Sequence, residues 1–96
     1  LFDVNDPRAF DELSKEEQAI LLSWIKRNFI MIETFNVKHS SYDLKHVFEN
    51  EGFYITNGQF KGAMLKAGFS VKDMKADNWN FNISQKSPGI QRMKLM

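Results

Sequence analysis

Residues 40–69 read SSYDLKHVFENEGFYITNGQFKGAMLKAGF and contain two helix-opening signals in close succession. Ser40 with Asp43 three residues on opens one helix. Thr56-Asn57-Gly58-Gln59 is a capping box that opens another, with Thr56 as N-cap, Asn57 as the alternative cap and Gln59 at the third helical position. Gly52 and Gly68 end these helices near residue 50 and at residue 67. Each is short and has one apolar stripe: Leu44, Val47 and Phe48 in the first, Phe60, Ala63, Met64 and Ala67 in the second. Helices this short hold only by packing on other elements, so the flanking segments must supply the rest of one core.

Both flanks do so. Ser14-Lys15-Glu16-Glu17 is a further capping box, and its carboxylates suit the positive end of a helix dipole. The helix it opens is predicted to run to about Thr34, with Leu22, Ile25, Phe29 and Ile32 as its buried stripe, broadened by Leu21 and Trp24. Downstream, Phe69-Ser70-Val71-Lys72 and residues 79–84 read as two antiparallel strands. Trp79, Phe81 and Ile83 should point inward while Asn80, Asn82 and Ser84 point out. The predicted fold is therefore mainly α with a small antiparallel β-hairpin. Residues 1–13 form an N-terminal arm, which reads as a strap over the core, residues 14–84 form the domain, and residues 85–96 form a basic, flexible tail.

Ninety-six residues make one domain, and 43% hydrophobic with nine Phe and two Trp is enough apolar volume to fold without staples. The absence of cysteine excludes disulfides and thiolate metal sites and fits a reducing, cytoplasmic setting. The longest apolar run, Phe29-Ile30-Met31-Ile32, is far below the roughly 20 residues of a membrane span, and no signal peptide is visible. The first residue, Leu1, suggests a chain trimmed or cut from something longer. His39 and His46 have no third ligand at metal-site spacing. No phosphate loop and no nucleophile-base motif occurs, so the expectation is no enzyme, no cofactor and no small-molecule substrate.

Net charge is +1, but it is unevenly spread. Residues 1–36 hold seven acids and four bases, whereas residues 37–96 hold nine bases and five acids. Helix 57–67 lies in the basic part and carries the one plausible binding constellation. Asn57, Gln59, Lys61 and Lys66 lie off its apolar stripe, and their side chains suit base edges or phosphates. Gly62 is costly in mid-helix, by about 1 kcal/mol relative to alanine. It marks a close backbone approach, either by a nucleic acid or by another part of the fold.

The run from Ile55 through Phe69, with Asn78-Trp79-Asn80-Phe81-Asn82-Ile83 after it, resembles the C-terminal winged-helix domains of phage and plasmid primase-helicases. The longer stretch from Ser41-Tyr42-Asp43-Leu44-Lys45-His46 to Phe81 also resembles small proteins of bacteriophages and mobile elements. The likeness spans about 45 residues and consists of structural positions: a polar cap, a buried Phe, a small residue, an apolar pair and a Gly-aromatic stop. It implies a winged-helix-like three-helix domain acting in replication or regulation, with duplex or single-stranded DNA as partner. Two departures stand against groove reading: residues 72–77 are charge-balanced, and the connector before helix 57–67 is long. The alternative is a protein–protein module that docks on or inhibits a host or phage protein, suggested by near-neutral charge and many aromatics.

Overall fold

The computed structural model describes residues 1–95. A 3-10 helix at Pro7–Glu12 precedes α1 (Lys15–Asn28), α2 (Ser41–Glu51), α3 (Asn57–Lys66) and α4 (Pro88–Met93). Among the described residues, extended pairing is limited to two isolated antiparallel bridges, Met31 with Ile83 and Val71 with Phe81. The protein is mainly helical.

The capping signals act as the sequence requires. Ser14 Oγ accepts from Glu17 N at 3.1 Å and the Glu17 carboxylate accepts from Ser14 N at 2.9 Å. Thr56 and Gln59 make the same reciprocal pair at 3.1 and 2.9 Å. Asp43 accepts from Ser40 N at the start of α2. Each pair satisfies N–H groups that a helix start leaves without partners.

α1 ends at Asn28, well short of Thr34. Asn28 Nδ2 turns back to the Trp24 carbonyl at 2.8 Å, and Phe29 takes an extended backbone (φ −125°, ψ 129°). Beyond it, three β-branched residues (Ile30, Ile32, Thr34) favour extension over helix. Residues 30–36 run alongside 81–84: Ile32 N bonds to Asn82 O (3.0 Å), Ser84 N to Ile30 O (2.8 Å) and Asn36 N to Phe81 O (2.8 Å). Ile32, expected on the buried stripe of a longer helix, is exposed.

Trp79, Phe81 and Ile83 are buried at 2% exposure or less, as their alternation requires. Phe81 packs edge-on to Phe60 of α3 and to Trp79. Trp24, Phe29 and Phe48 extend the same aromatic core in T-shaped contacts. The opposite face departs from expectation at Asn82, which is buried. Its amide nitrogen donates to Ile32 O (3.0 Å) and its oxygen accepts from Ser70 N (2.7 Å). This side chain takes a bond that a strand partner would otherwise make. The predicted hairpin accordingly shrinks to the Val71–Phe81 bridge and one flanking bond from Lys72 N to Asn80 O.

The segment 85–95, expected as a flexible tail, carries α4 and packs onto the core. Proline opens α4, Ile90 is fully buried, and Ser87 Oγ accepts from Ile30 N at 2.8 Å. The Arg92 guanidinium holds Glu51 through bonds of 2.7 and 2.9 Å, and Trp24 Nε1 donates to the same carboxylate at 3.0 Å. These donors pull the Glu51 carboxyl below its ordinary value, Arg92 most strongly. Met96, the end of the predicted tail, lies outside the described residues.

Candidate functional site

The helix chosen from sequence as the contact element is covered. Residues 1–13 fold over α3, with Ala9, Phe10 and Leu13 buried in the core. Two glycines one turn apart on α3 admit this strap. A Cβ at Gly58 would meet the Asp6 backbone, and one at Gly62 would collide with the Pro7 carbonyl oxygen and lie 2.6 Å from Phe10 Cβ. The close approach that Gly62 signalled is therefore made by the protein's own arm. Gly58 N also donates to Val4 O at 2.7 Å, so the arm supplies an acceptor at the start of α3.

Of the four residues assigned to nucleic-acid contact, two are sealed under the arm. Asn57 is 6% exposed and Lys61 3% exposed. Asn57 Nδ2 reaches Asn5 Oδ1 (3.0 Å), Asp77 O (3.1 Å) and Asn78 Oδ1 (3.0 Å). Lys61 Nζ donates to Asn5 O at 2.8 Å and to Asp77 O at 2.9 Å, and sits 4.5 Å from the centre of the Trp79 ring. Burial pushes the Lys61 ammonium below the usual lysine value, and the carboxylates of Asp77, Asp6 and Asp3 partly restore it. The side chain is a clamp: its charge ties the arm and the 73–78 connector to α3 and leaves no free face for phosphate. Gln59 is half-buried and occupied by its capping bonds. Lys66 alone of the four is exposed. The expected contact face is not assembled, because segments distant in sequence pack onto the polar side of the helix.

The exposed surface that does gather related side chains is residues 30–37. Ile30 and Met31 are each 48% exposed, Ile32 and Phe35 38%, and Val37 63%. Their backbone bonds run to the 81–84 and Ser87 side, so the apolar side chains stand on a segment tied along one edge and bent at residues 33–34. Ile32, Phe35 and Val37, with Ile83 and Gln85, line an open groove of about 240 Å³. Ile30 and Met31 lie outside this lining, so the grouped apolar surface is that of Ile32, Phe35 and Val37, and an open apolar groove of this kind marks an interaction site. Sequence reasoning missed this surface by reading Phe29-Ile30-Met31-Ile32 as part of a helix. The available signal was the β-branched content of residues 30–34, which contradicts a helix at that point.

Comparison of the chain with protein-family models, with curated proteins and with solved structures returns no match. No helix among the described residues is long and apolar enough to cross a membrane.

Proposed function

We propose that this chain is a non-enzymatic protein-docking module that engages a host or phage protein through residues 30–37. The observation that carries the reading is the inversion between this segment and α3: five large apolar side chains are exposed here, while Asn57 and Lys61 of α3 are buried. The partner best suited to the segment presents an extended strand. Such a strand lays alternate side chains into the groove beside Phe35. The order of α1, α2 and α3 supports a winged-helix-like body for residues 14–84, with the wing reduced to the Val71–Phe81 bridge. Nucleic-acid contact through helix 57–67 is the weaker reading, since of its four candidate contact side chains Asn57 and Lys61 are buried.

Selection of short random peptides on the immobilised protein tests this, with the double variant Met31→Lys, Phe35→Ser as counter-target. Both positions are exposed, so the variant should melt as the wild type does. Enriched peptides should alternate apolar and polar residues and should lose binding to the variant while keeping it on Lys66→Glu. Peptides that bind wild type and variant alike, or no enrichment at all, would sink the docking assignment.

A further inference from the structure

A second cleft, sharing no lining residue with the 30–37 groove, lies where α2 meets the start of α3, and its chemistry differs. It encloses about 300 Å³. Tyr42 and Tyr54 border it, 49% and 74% exposed, an unusual degree of exposure for two tyrosines at one opening. The Lys45 ammonium lies 5.2 Å from the Tyr42 ring centre and 5.3 Å from that of Tyr54. The whole Lys45 side chain is buried, and both oxygens of Glu49 hold its ammonium at 3.2 Å. The same carboxylate takes His46 Nδ1 at 2.9 Å and the Ile55 backbone N–H at 3.2 Å. His46 in turn stands edge-on to Tyr42, with ring centres 4.6 Å apart. Glu49 thus orients a cation and an imidazole on one rigid helix. With Nδ1 facing a carboxylate, the neutral imidazole keeps its acceptor at Nε2.

Asn57 lines this cleft too. Its amide nitrogen is fixed by the Asp77 carbonyl, which can only accept, so the side-chain oxygen faces away from that bond. That oxygen has no hydrogen-bond partner and no access to solvent, in a side chain more than nine-tenths buried. It is sealed from the cleft as well, so the acceptor open to a ligand here is His46, whose side chain is 44% exposed.

From these groups we infer that the cleft binds the base of a nucleotide, either free or within a single strand. A planar heteroaromatic ring stacks on the exposed tyrosines and its amino or imino N–H meets the acceptor of His46. The local charge is nearly balanced, because Glu49 offsets Lys45. Stacking therefore supplies most of the affinity, and the salt dependence is shallow compared with that of a protein bound by many phosphate contacts. Such a site goes beyond the docking reading and does not depend on it.

The test titrates the whole chain with adenosine, cytidine and uridine monophosphates, with labelled single strands and with a duplex, each at two salt concentrations, following amide shifts and anisotropy. Tyr54→Ala should weaken binding about tenfold, in line with loss of one stacked base, and should leave the melting temperature unchanged. Tyr54→Phe should bind as the wild type does. Saturable binding of mononucleotides identifies a free-nucleotide site, and binding of strands alone identifies a single-strand site; each supports the assignment. No binding of either by the folded protein overturns it, as does binding that Tyr54→Ala and Tyr42→Ala both leave unaltered.

Discussion

Two regions of this molecule exchange the surfaces their composition would give them. The first turns of α3 carry an amide and an ammonium, yet Asn57 and Lys61 are 6% and 3% exposed. Residues 30–37 carry Ile, Met, Ile, Phe and Val, and all five stand at 38% exposure or more. The polar pair is acceptable inside because backbone carbonyls of the arm and the connector meet its donors. The apolar segment remains outside because its backbone is tied along one edge to 81–84 and nothing among the described residues covers the other side. Residue type sets what burial costs, whereas the covering segment decides whether burial happens.

The strongest way to break this contrast is to dislodge the arm. In Gly62→Val the added branches meet the Pro7 carbonyl and Phe10, which are backbone and core and cannot swing aside. Overpacking of this kind should cost about 3 kcal/mol. For a domain of this size the midpoint should fall by more than about 10 °C in thermal denaturation. An unchanged midpoint would mean that the arm does not lie across α3.

Next comes the clamp. Lys61→Met keeps the length and the contact with Trp79 but leaves Asn5 O and Asp77 O without the donated protons. A loss of about 2 kcal/mol is expected, the scale of hydrogen bonds to a charged group. Amide exchange should rise in residues 3–10 before it rises in α1. Uniform exchange across the molecule would argue that the lysine contributes no local tether.

A smaller effect separates the docked tail from a loose one. The Glu51 carboxyl is held below its ordinary value near 4.5 by Arg92 and Trp24. A carboxyl with a depressed folded-state value stabilises the fold above the unfolded-state value, and that contribution disappears as pH falls through the folded-state value. Wild type and Arg92→Ala should therefore differ in midpoint at neutral pH, and the gap should narrow as pH falls through and below the ordinary carboxyl value. A constant gap across that range would remove Glu51 from the account. Smallest of all, Val37→Ser should move stability by less than about 0.5 kcal/mol, because the side chain is 63% exposed. A larger loss would show that the segment is already covered.

Much of the fold is legible along the chain because its signals are local. Ser14 with Glu17 and Thr56 with Gln59 are each three residues apart, and both pairs cap the helices they were read to cap. The alternation of Trp79, Phe81 and Ile83 likewise needs only the pleat of a single extended segment to place them on one side. Gly62 announced a close approach without naming what approaches, since the arm lies across the fold from the sequence neighbours of α3. Asn82 shows the limit at one residue: period two assigned it to the outer face, and its amide then became the bridge between Ile32 and Ser70.

What local pattern determined, then, is which stretches become helix, where they begin and which stripe enters the core, because caps and periodicity act within one or two turns. Only tertiary packing decided where α1 stops, how the tail docks and which polar side chains vanish inside. Ile30 finds Ser87 across 57 positions and Lys61 finds Asn5 across 56. Such bonds depend on the path of the whole chain, and no window of sequence contains both partners.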